Sequence, residues 1–192
     1  MRKVKVITYV SLDGVMEAPG GGAEFKYAGW TIPYWNDEIA KSQLDELFSS
    51  DALLLGRVTY QGFAAAWPSM KDEIGFADKM NSMPKFVAST TLDTADWNNS
   101  TLIKANVPEE VSKLKNAPGQ DILIYGSGEL VRTLMQHNLM DEYRLLVYPI
   151  VLGTGKRFFR DDINSKLKLV EAKPSSSGVV ALTYQPAPQD AK

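Results

Sequence analysis

Ala52-Leu53-Leu54-Leu55-Gly56-Arg57-Val58-Thr59-Tyr60 reads as an apolar strand that breaks on a glycine into a helix. Four consecutive apolar residues ending on a glycine form the pattern of a strand buried on both faces. The first turn of a helix leaves N–H groups without partners and carries the positive end of the helix dipole, so such a junction suits an anion. Arg57 adds a guanidinium fork that matches phosphate. The same residues also suit a plain tight turn whose arginine makes a surface ion pair.

A second junction repeats the geometry. Ile122-Leu123-Ile124-Tyr125 is followed by Gly126-Ser127-Gly128-Glu129: a strand, glycines that permit close backbone approach, and a helix with Ser127 as its cap. A Rossmann fingerprint would need a small residue where Val131 stands and, about 20 residues on, an acid where Val147 and Tyr148 stand, so that fold is disfavoured. A third strand, Lys85-Phe86-Val87-Ala88, ends on Ser89-Thr90-Thr91, three hydroxyls that bond phosphate oxygens as readily as they cap a turn. Three such loops after parallel strands converge on one edge of a sheet, where open α/β folds bind ligands.

Outward from these junctions, about eight short β-branched or aromatic runs recur, near 4–10, 52–55, 85–88, 101–103, 122–125, 142–148, 167–171 and 179–184. Helical stretches lie between them. Asn36 is an N-cap with Asp37 and Glu38 in the first turn, and Ala40, Leu44, Leu47 and Phe48 follow at helical spacing. A second helix runs from Glu129 to about His137 with Leu130, Val131 and Leu134 inward and Asn138 in the left-handed position that ends it. Shorter helices are expected after Thr59, around 74–80 and around 109–115. This alternation predicts an α/β fold: a largely parallel sheet of about eight strands, helices on both faces, and an antiparallel hairpin through Pro174-Ser175-Ser176-Ser177-Gly178 at one edge. Residues 1–184 read as a single domain, and 185–192 as a disordered tail.

The 192 residues suffice for one continuous core. With 21 Lys+Arg against 23 Asp+Glu, the chain has no electrostatic footprint for nucleic acid or an anionic membrane, which leaves small molecules as the default partners. The absence of cysteine excludes thiolate metal sites and cysteine nucleophiles. Lys5 interrupts the first apolar run where a signal peptide needs continuity, and no segment approaches the roughly 20 apolar residues of a membrane span, so a cytoplasmic location is expected. His137, the single histidine, falls at a helix end and carries no role. The adjacent acids Asp141-Glu142 and Asp161-Asp162 diverge on a strand or turn, so no metal site is expected.

Ser11-Leu12-Asp13-Gly14 leaves the first strand and leads into Ala18-Pro19-Gly20-Gly21-Gly22, a segment suited to a lid. Asp13 is either a carboxylate that orients a substrate or relays a proton, or the anchor of an Asx-turn before Gly14. Gly153 and Gly155 fit close packing best. Trp30, Trp35, Trp67 and Trp97 fill gaps in core and loops, or one of Trp30 and Tyr34 lines the pocket of a flat aromatic substrate.

Taken in order, Ser11-Leu12-Asp13-Gly14, Leu55-Gly56-Arg57-Val58-Thr59-Tyr60, Ser89-Thr90-Thr91-Leu92, Gly126-Ser127-Gly128-Glu129-Leu130 and Asp141-Glu142-Tyr143 through Pro149 to Gly153-Thr154-Gly155-Lys156 resemble the RibD C-terminal domain family, from about Val4 to Tyr184. These are dihydrofolate-reductase-like proteins of riboflavin biosynthesis. The resemblance implies a three-layer fold with NADPH across the carboxyl edge of the sheet. It places Gly56, Arg57 and Thr59 on the pyrophosphate side and Ser89, Thr90 and Thr91 near the adenosine 2′-phosphate. Gly126, Ser127, Gly128 and Glu129 would meet the pyrophosphate or nicotinamide side, and Asp13 would face the substrate. Acids Asp37 and Glu38 are displaced from the spacing of true folate reductases, and no deaminase half with zinc ligands is present. The expected activity is hydride transfer from NADPH to a small polar heterocycle or carbonyl, of the 5-amino-6-(5-phosphoribosylamino)uracil reductase kind. A non-catalytic nucleotide-binding sensor or assembly module is the alternative, and a flavin is the other cofactor class. The resemblance and an exposed sheet edge favour a homodimer.

Overall fold

The computed structural model describes residues 1–22, 24–160 and 163–188. In chain order the elements are β1 (Val4–Ser11), α1 (Asp37–Phe48), β2 (Ser50–Gly56), α2 (Arg57–Ala66), α3 (Phe76–Ser82), β3 (Lys85–Ala88), β4 (Ser100–Ile103), α4 (Val107–Asn116), β5 (Asp121–Tyr125), α5 (Gly128–Gln136), β6 (Glu142–Tyr148), β7 (Leu167–Pro174) and β8 (Val180–Pro186). The strands form one mostly parallel eight-stranded sheet of order β4-β3-β2-β5-β1-β6-β8-β7, with helices around it. The chain groups into two compact units, Met1–Val6 with Ser42–Met140, and Ile7–Lys41 with Asp141–Lys192.

In the first unit, Ala52, Leu53, Leu54 and Leu55 of β2 and Ile122, Leu123 and Ile124 of β5 are all buried, as strands covered on both faces must be. Each large side chain among them contributes about 2 kcal/mol of burial. β3 pairs parallel with β2, Gly56 opposite Ala88, and β5 pairs parallel with β2 on the other side. The carboxyl ends of β3, β2 and β5 therefore lie side by side. The charge that interrupts β1 is buried too: Lys5 Nζ lies 3.0 Å from Asp121 Oδ2 and 3.3 Å from Glu46 Oε2, and donates to Ser49 Oγ at 3.0 Å.

That ion pair explains where α1 departs from expectation. Asn36 Oδ1 does accept the Ile39 N–H at 3.0 Å, as an N-cap should. The buried face, however, holds Ile39, Gln43, Glu46 and Leu47, while Phe48 is half exposed. Lys5 draws Glu46 inward and so turns the helix away from the stripe its apolar spacing suggests. α2 and α4 begin earlier than expected, at Arg57 and Val107. α3 begins later, because the Asp72 carboxylate accepts the N–H groups of Ile74, Phe76 and Ala77.

In the second unit, β6 pairs antiparallel with β8, and β8 with the edge strand β7. Gln185 and Pro186 belong to β8, opposite Lys168 and Leu167, so the tail does not begin at Gln185; residues 189–192 lie outside the described residues. The hairpin tip docks on the start of α1. Asn36 Nδ2 donates to Ser175 Oγ at 2.8 Å, and Ser176 N–H donates to Glu38 Oε2 at 2.8 Å, which lowers the Glu38 pKa.

Candidate functional site

The two glycine junctions of the first unit meet. Ser127 Oγ accepts the Gly56 N–H at 2.9 Å and shares a proton with Thr59 Oγ1 at 3.0 Å, binding the start of α2 to the start of α5. The approach is close enough to require glycine: a Cβ on Gly56 would stand 3.1 Å from Ser127 Oγ and 3.3 Å from its Cβ. Gly56 has φ −79, so space and not backbone conformation sets that requirement.

Gly126 and Ser127 are consecutive left-handed residues, φ 54 and φ 55, ahead of the first turn of α5. This twist turns the chain from strand to helix within two residues. It also corrects one expectation: Ser127 occupies the N-cap position of α5 but makes no side-chain cap, since its left-handed backbone sends the hydroxyl to Gly56.

Arg57 opens α2, exposed, with Nη1 donating to Gln61 Oε1 at 3.1 Å. No carboxylate among the described residues pairs with it, so its positive charge at the helix start is uncompensated. This removes the surface ion-pair reading. Gly128 is the first residue of α5, and Glu129 follows it with an exposed carboxylate 3.5 Å from Arg132 Nη1.

The loop after β3 divides its three hydroxyls. Ser89 is buried, and its Oγ accepts the N–H groups of Thr91 and Leu92 at 3.2 and 3.0 Å, so it shapes the turn. Thr90 and Thr91 are exposed and face solvent. The loop is braced from behind by Lys85, whose Nζ donates to the carbonyls of Asn81, Met83 and Asn98 at 2.8 to 3.0 Å and sits 4.2 Å from the Trp97 ring. Burial lowers the Lys85 pKa to about 8. Trp97 is fixed further by its N–H to Tyr60 Oη and its Nε1 to Asn81 Oδ1.

Asp13 lies in the second unit, and its carboxylate reaches away from the Asx-turn before Gly14. Its Oδ1 accepts Ser11 Oγ at 2.7 Å and the Leu152 N–H at 3.1 Å; its Oδ2 accepts the Gly153 N–H at 2.8 Å. The Ser11 hydroxyl first, then the Leu152 amide, hold its pKa at about 2. Asp13 is therefore a carboxylate at neutral pH that clasps the loop after β1 to the loop after β6. Leu12 N–H to Ile150 O at 2.8 Å and the bridge between Val15 and Arg157 extend the same seam. Gly155 lies in it because a Cβ there would stand 2.8 Å from Val15 Cγ1 and 3.0 Å from Phe25 Cζ.

The segment expected to act as a lid is stitched to itself. Gly29 N–H donates to Ala18 O at 2.9 Å, Thr31 Oγ1 to Pro19 O at 2.7 Å, and Trp30 Nε1 to Glu17 O at 2.8 Å. This places Trp30 against Tyr148, the residue that a reading of motifs alone passed over. Tyr148 receives the ring edges of Tyr9, Trp30 and Tyr34 at centroid distances of 5.7, 5.3 and 5.8 Å. The tyrosine in β1, and another directly before Pro149, were the available signals. His137 is exposed at the end of α5, with Nδ1 2.9 Å from Thr133 O. Among the described residues no group of three or more His, Asp or Glu side chains is placed to hold a metal, and no helix is long and apolar enough to cross a membrane. Asp161 and Asp162 lie outside the described residues.

A mostly parallel eight-stranded sheet with a C-terminal antiparallel hairpin and two glycine junctions at one strand edge is a dihydrofolate-reductase-like fold. The chain belongs to the RibD C-terminal domain family, whose model matches residues 2–181. It is 34% identical over 187 residues to the uncharacterized protein YyaP of Bacillus subtilis (strain 168), covering 95% of this chain and 94% of that one. A Shewanella sp. PV-4 protein assigned to riboflavin biosynthesis has a crystal structure that superposes with TM-score 0.74 at 20% identity, over 96% of this chain and 99% of that one. The dihydrofolate reductase of Enterococcus faecalis, complexed with NADP(H), superposes with TM-score 0.63 at 14% identity, over 96% of each chain. At these identities the likeness to solved structures concerns the fold.

Proposed function

We propose that the protein is an NADPH-dependent reductase that delivers hydride to a small polar heterocycle or carbonyl compound. The observation that carries the reading is the Gly56–Ser127 contact, which holds two helix starts together beside an uncompensated Arg57. Adjacent helix N-termini and an exposed guanidinium suit a dianionic pyrophosphate. Thr90 and Thr91, exposed at the neighbouring strand end, offer hydroxyls for an additional phosphate. The residues present fit such a cofactor.

In this reading Gly56, Arg57 and Thr59 hold the pyrophosphate from α2, and Gly126, Ser127, Gly128 and Glu129 meet the pyrophosphate or nicotinamide side from the start of α5, Glu129 through its backbone. Ser89 shapes the loop from which Thr90 and Thr91 bind the 2′-phosphate. The nicotinamide supplies the hydride when bound. The work of the chain is orientation and exclusion of water. Asp13, ionised and engaged in three hydrogen bonds, braces the loop after β6 and donates no proton at neutral pH; the proton that accompanies the hydride comes from water or from another donor.

Titration with NADPH and with NADH, followed by tryptophan fluorescence, tests the proposal. NADPH is expected to saturate at micromolar concentration and NADH at least tenfold higher, about 1.4 kcal/mol weaker. No saturable response below about 1 mM for either refutes it. Saturable binding with NADPH oxidation at background against pterins, pyrimidinones, quinones and nitroaromatics would leave a nucleotide-binding module and not an enzyme.

A further inference from the structure

Tyr148 is the last residue of β6, has 0% exposure, and its hydroxyl has no hydrogen-bond partner among the described residues. A buried hydroxyl without a partner costs stability, and phenylalanine would fill the same volume without that cost. The hydroxyl is therefore there for something other than folding. Its surroundings are built from separate stretches of the second unit: Tyr9 from β1, Trp30 from the stitched loop, and Tyr34 from the 3-10 turn Ile32–Tyr34. All three rings stand nearly edge-on to Tyr148, with interplanar angles of 82°, 86° and 79°. The three hydrogen bonds within the 17–31 segment fix Trp30, and the Asp13 clasp fixes the loop that follows Tyr148. Tyr9 and Tyr34 keep partial exposure, whereas Tyr148 has none. The segments that carry these rings also expose Leu12, Ile32, Trp35 and Val151, apolar side chains that single-molecule solubility does not explain.

We propose that Tyr148 donates its hydrogen bond to the acceptor substrate, a flat, neutral heterocycle that inserts among these rings with a carbonyl oxygen or ring nitrogen against the phenol. Aromatic edges select a planar ring, and a neutral phenol donor selects an acceptor atom. Burial raises the pKa of both Tyr148 and Tyr9 far above the ordinary tyrosine value, so the phenol keeps its proton across the physiological range. The inference deepens the reductase reading and rests on it for the identity of the ligand as substrate, but the binding step stands on the geometry of the second unit alone.

The test uses lumazine, a flat pteridinedione with carbonyl acceptors, and naphthalene, a ring system of similar outline without them, on wild type and Tyr148→Phe by titration calorimetry. The wild type is expected to bind lumazine saturably below about 1 mM. Tyr148→Phe should weaken lumazine at least tenfold, leave naphthalene within twofold, leave NADPH affinity unchanged, and raise the melting temperature. Absence of lumazine binding to the wild type, a lumazine affinity in Tyr148→Phe within twofold of wild type, or a lower melting temperature for the variant would each overturn the proposal. Failure of NADPH to bind while the lumazine result holds would instead remove the reductase reading and keep this site.

Discussion

Replacing Gly56 by alanine places a methyl group 3.1 Å from Ser127 Oγ and 3.3 Å from Ser127 Cβ. Both distances are shorter than ordinary van der Waals contact, and the backbone at φ −79 accepts alanine without strain. The cost is therefore steric and lies in the α2–α5 seam: about 1–3 kcal/mol of overpacking, plus part of the roughly 1 kcal/mol of the Gly56 N–H···Ser127 Oγ bond if the two helix starts separate. Ser127→Gly removes the atoms that the new methyl would strike. It also loses the hydroxyl acceptor, which costs about 1 kcal/mol, and relieves a left-handed residue at φ 55, which returns about 1 kcal/mol. Ser127→Gly alone should thus be near neutral in stability. In its background Gly56→Ala should cost almost nothing, a coupling of about 1–3 kcal/mol between positions 71 residues apart. Urea unfolding of wild type, both single variants and the double variant measures the cycle. NADPH titration of the same four proteins should show Gly56→Ala weakened about tenfold, because the pyrophosphate seat is the part displaced. Additive stabilities within about 0.3 kcal/mol would refute the reasoning, since they would mean that the seam relaxes freely around the methyl.

Asp13→Asn should lower stability at neutral pH by about 1 kcal/mol, discounted for the solvent access of the carboxylate. The Asp13 pKa is lowered in the fold to about 2, so its contribution is full above the unfolded value near 4 and is lost as pH falls from 4 to 2. The wild-type advantage in urea unfolding should accordingly be present at pH 6 and shrink by pH 2.5; a constant difference across that range contradicts the clasp. Gly155→Ala combines φ +112 with a Cβ 2.8 Å from Val15 Cγ1 and should cost about 3 kcal/mol, whereas Gly153→Ala, at φ +72 in open space, should cost about 1 kcal/mol. Equal melting temperatures for the two variants would show that the seam around Val15 and Phe25 is not tightly packed.

Much of the architecture was legible because it rests on local chemistry. Short apolar runs such as Leu53-Leu54-Leu55 and Ile122-Leu123-Ile124 fit strands covered on both faces, and the glycine that follows each strand marks a change of direction whatever lies nearby. Asn36 caps α1, and Asn138 takes the left-handed position after α5, because both effects act within a few residues. The side of α1 that is buried was not legible: hydrophobic spacing predicts one face, and the ion pair of Glu46 with Lys5, from a different strand, selects another.

The candidate site divides along the same line. Its residue types and order, Gly56-Arg57 with Gly126-Ser127 and the hydroxyls at 89–91, are properties of the sequence, since glycine freedom and guanidinium charge do not depend on distant partners. What each group bonds to was decided only when the strands took their places. Ser127 reaches across 71 residues to Gly56 because β2 and β5 became neighbours. Asp13 spends its charge on amides 139 and 140 residues away, where local sequence offered only a turn. The hydroxyl of Tyr148 is buried without a partner among the described residues, and three rings from distant segments pack on its own ring. Propensity and charge travel with the residue, whereas hydrogen-bond partners and burial are relations between residues that strand order alone brings together.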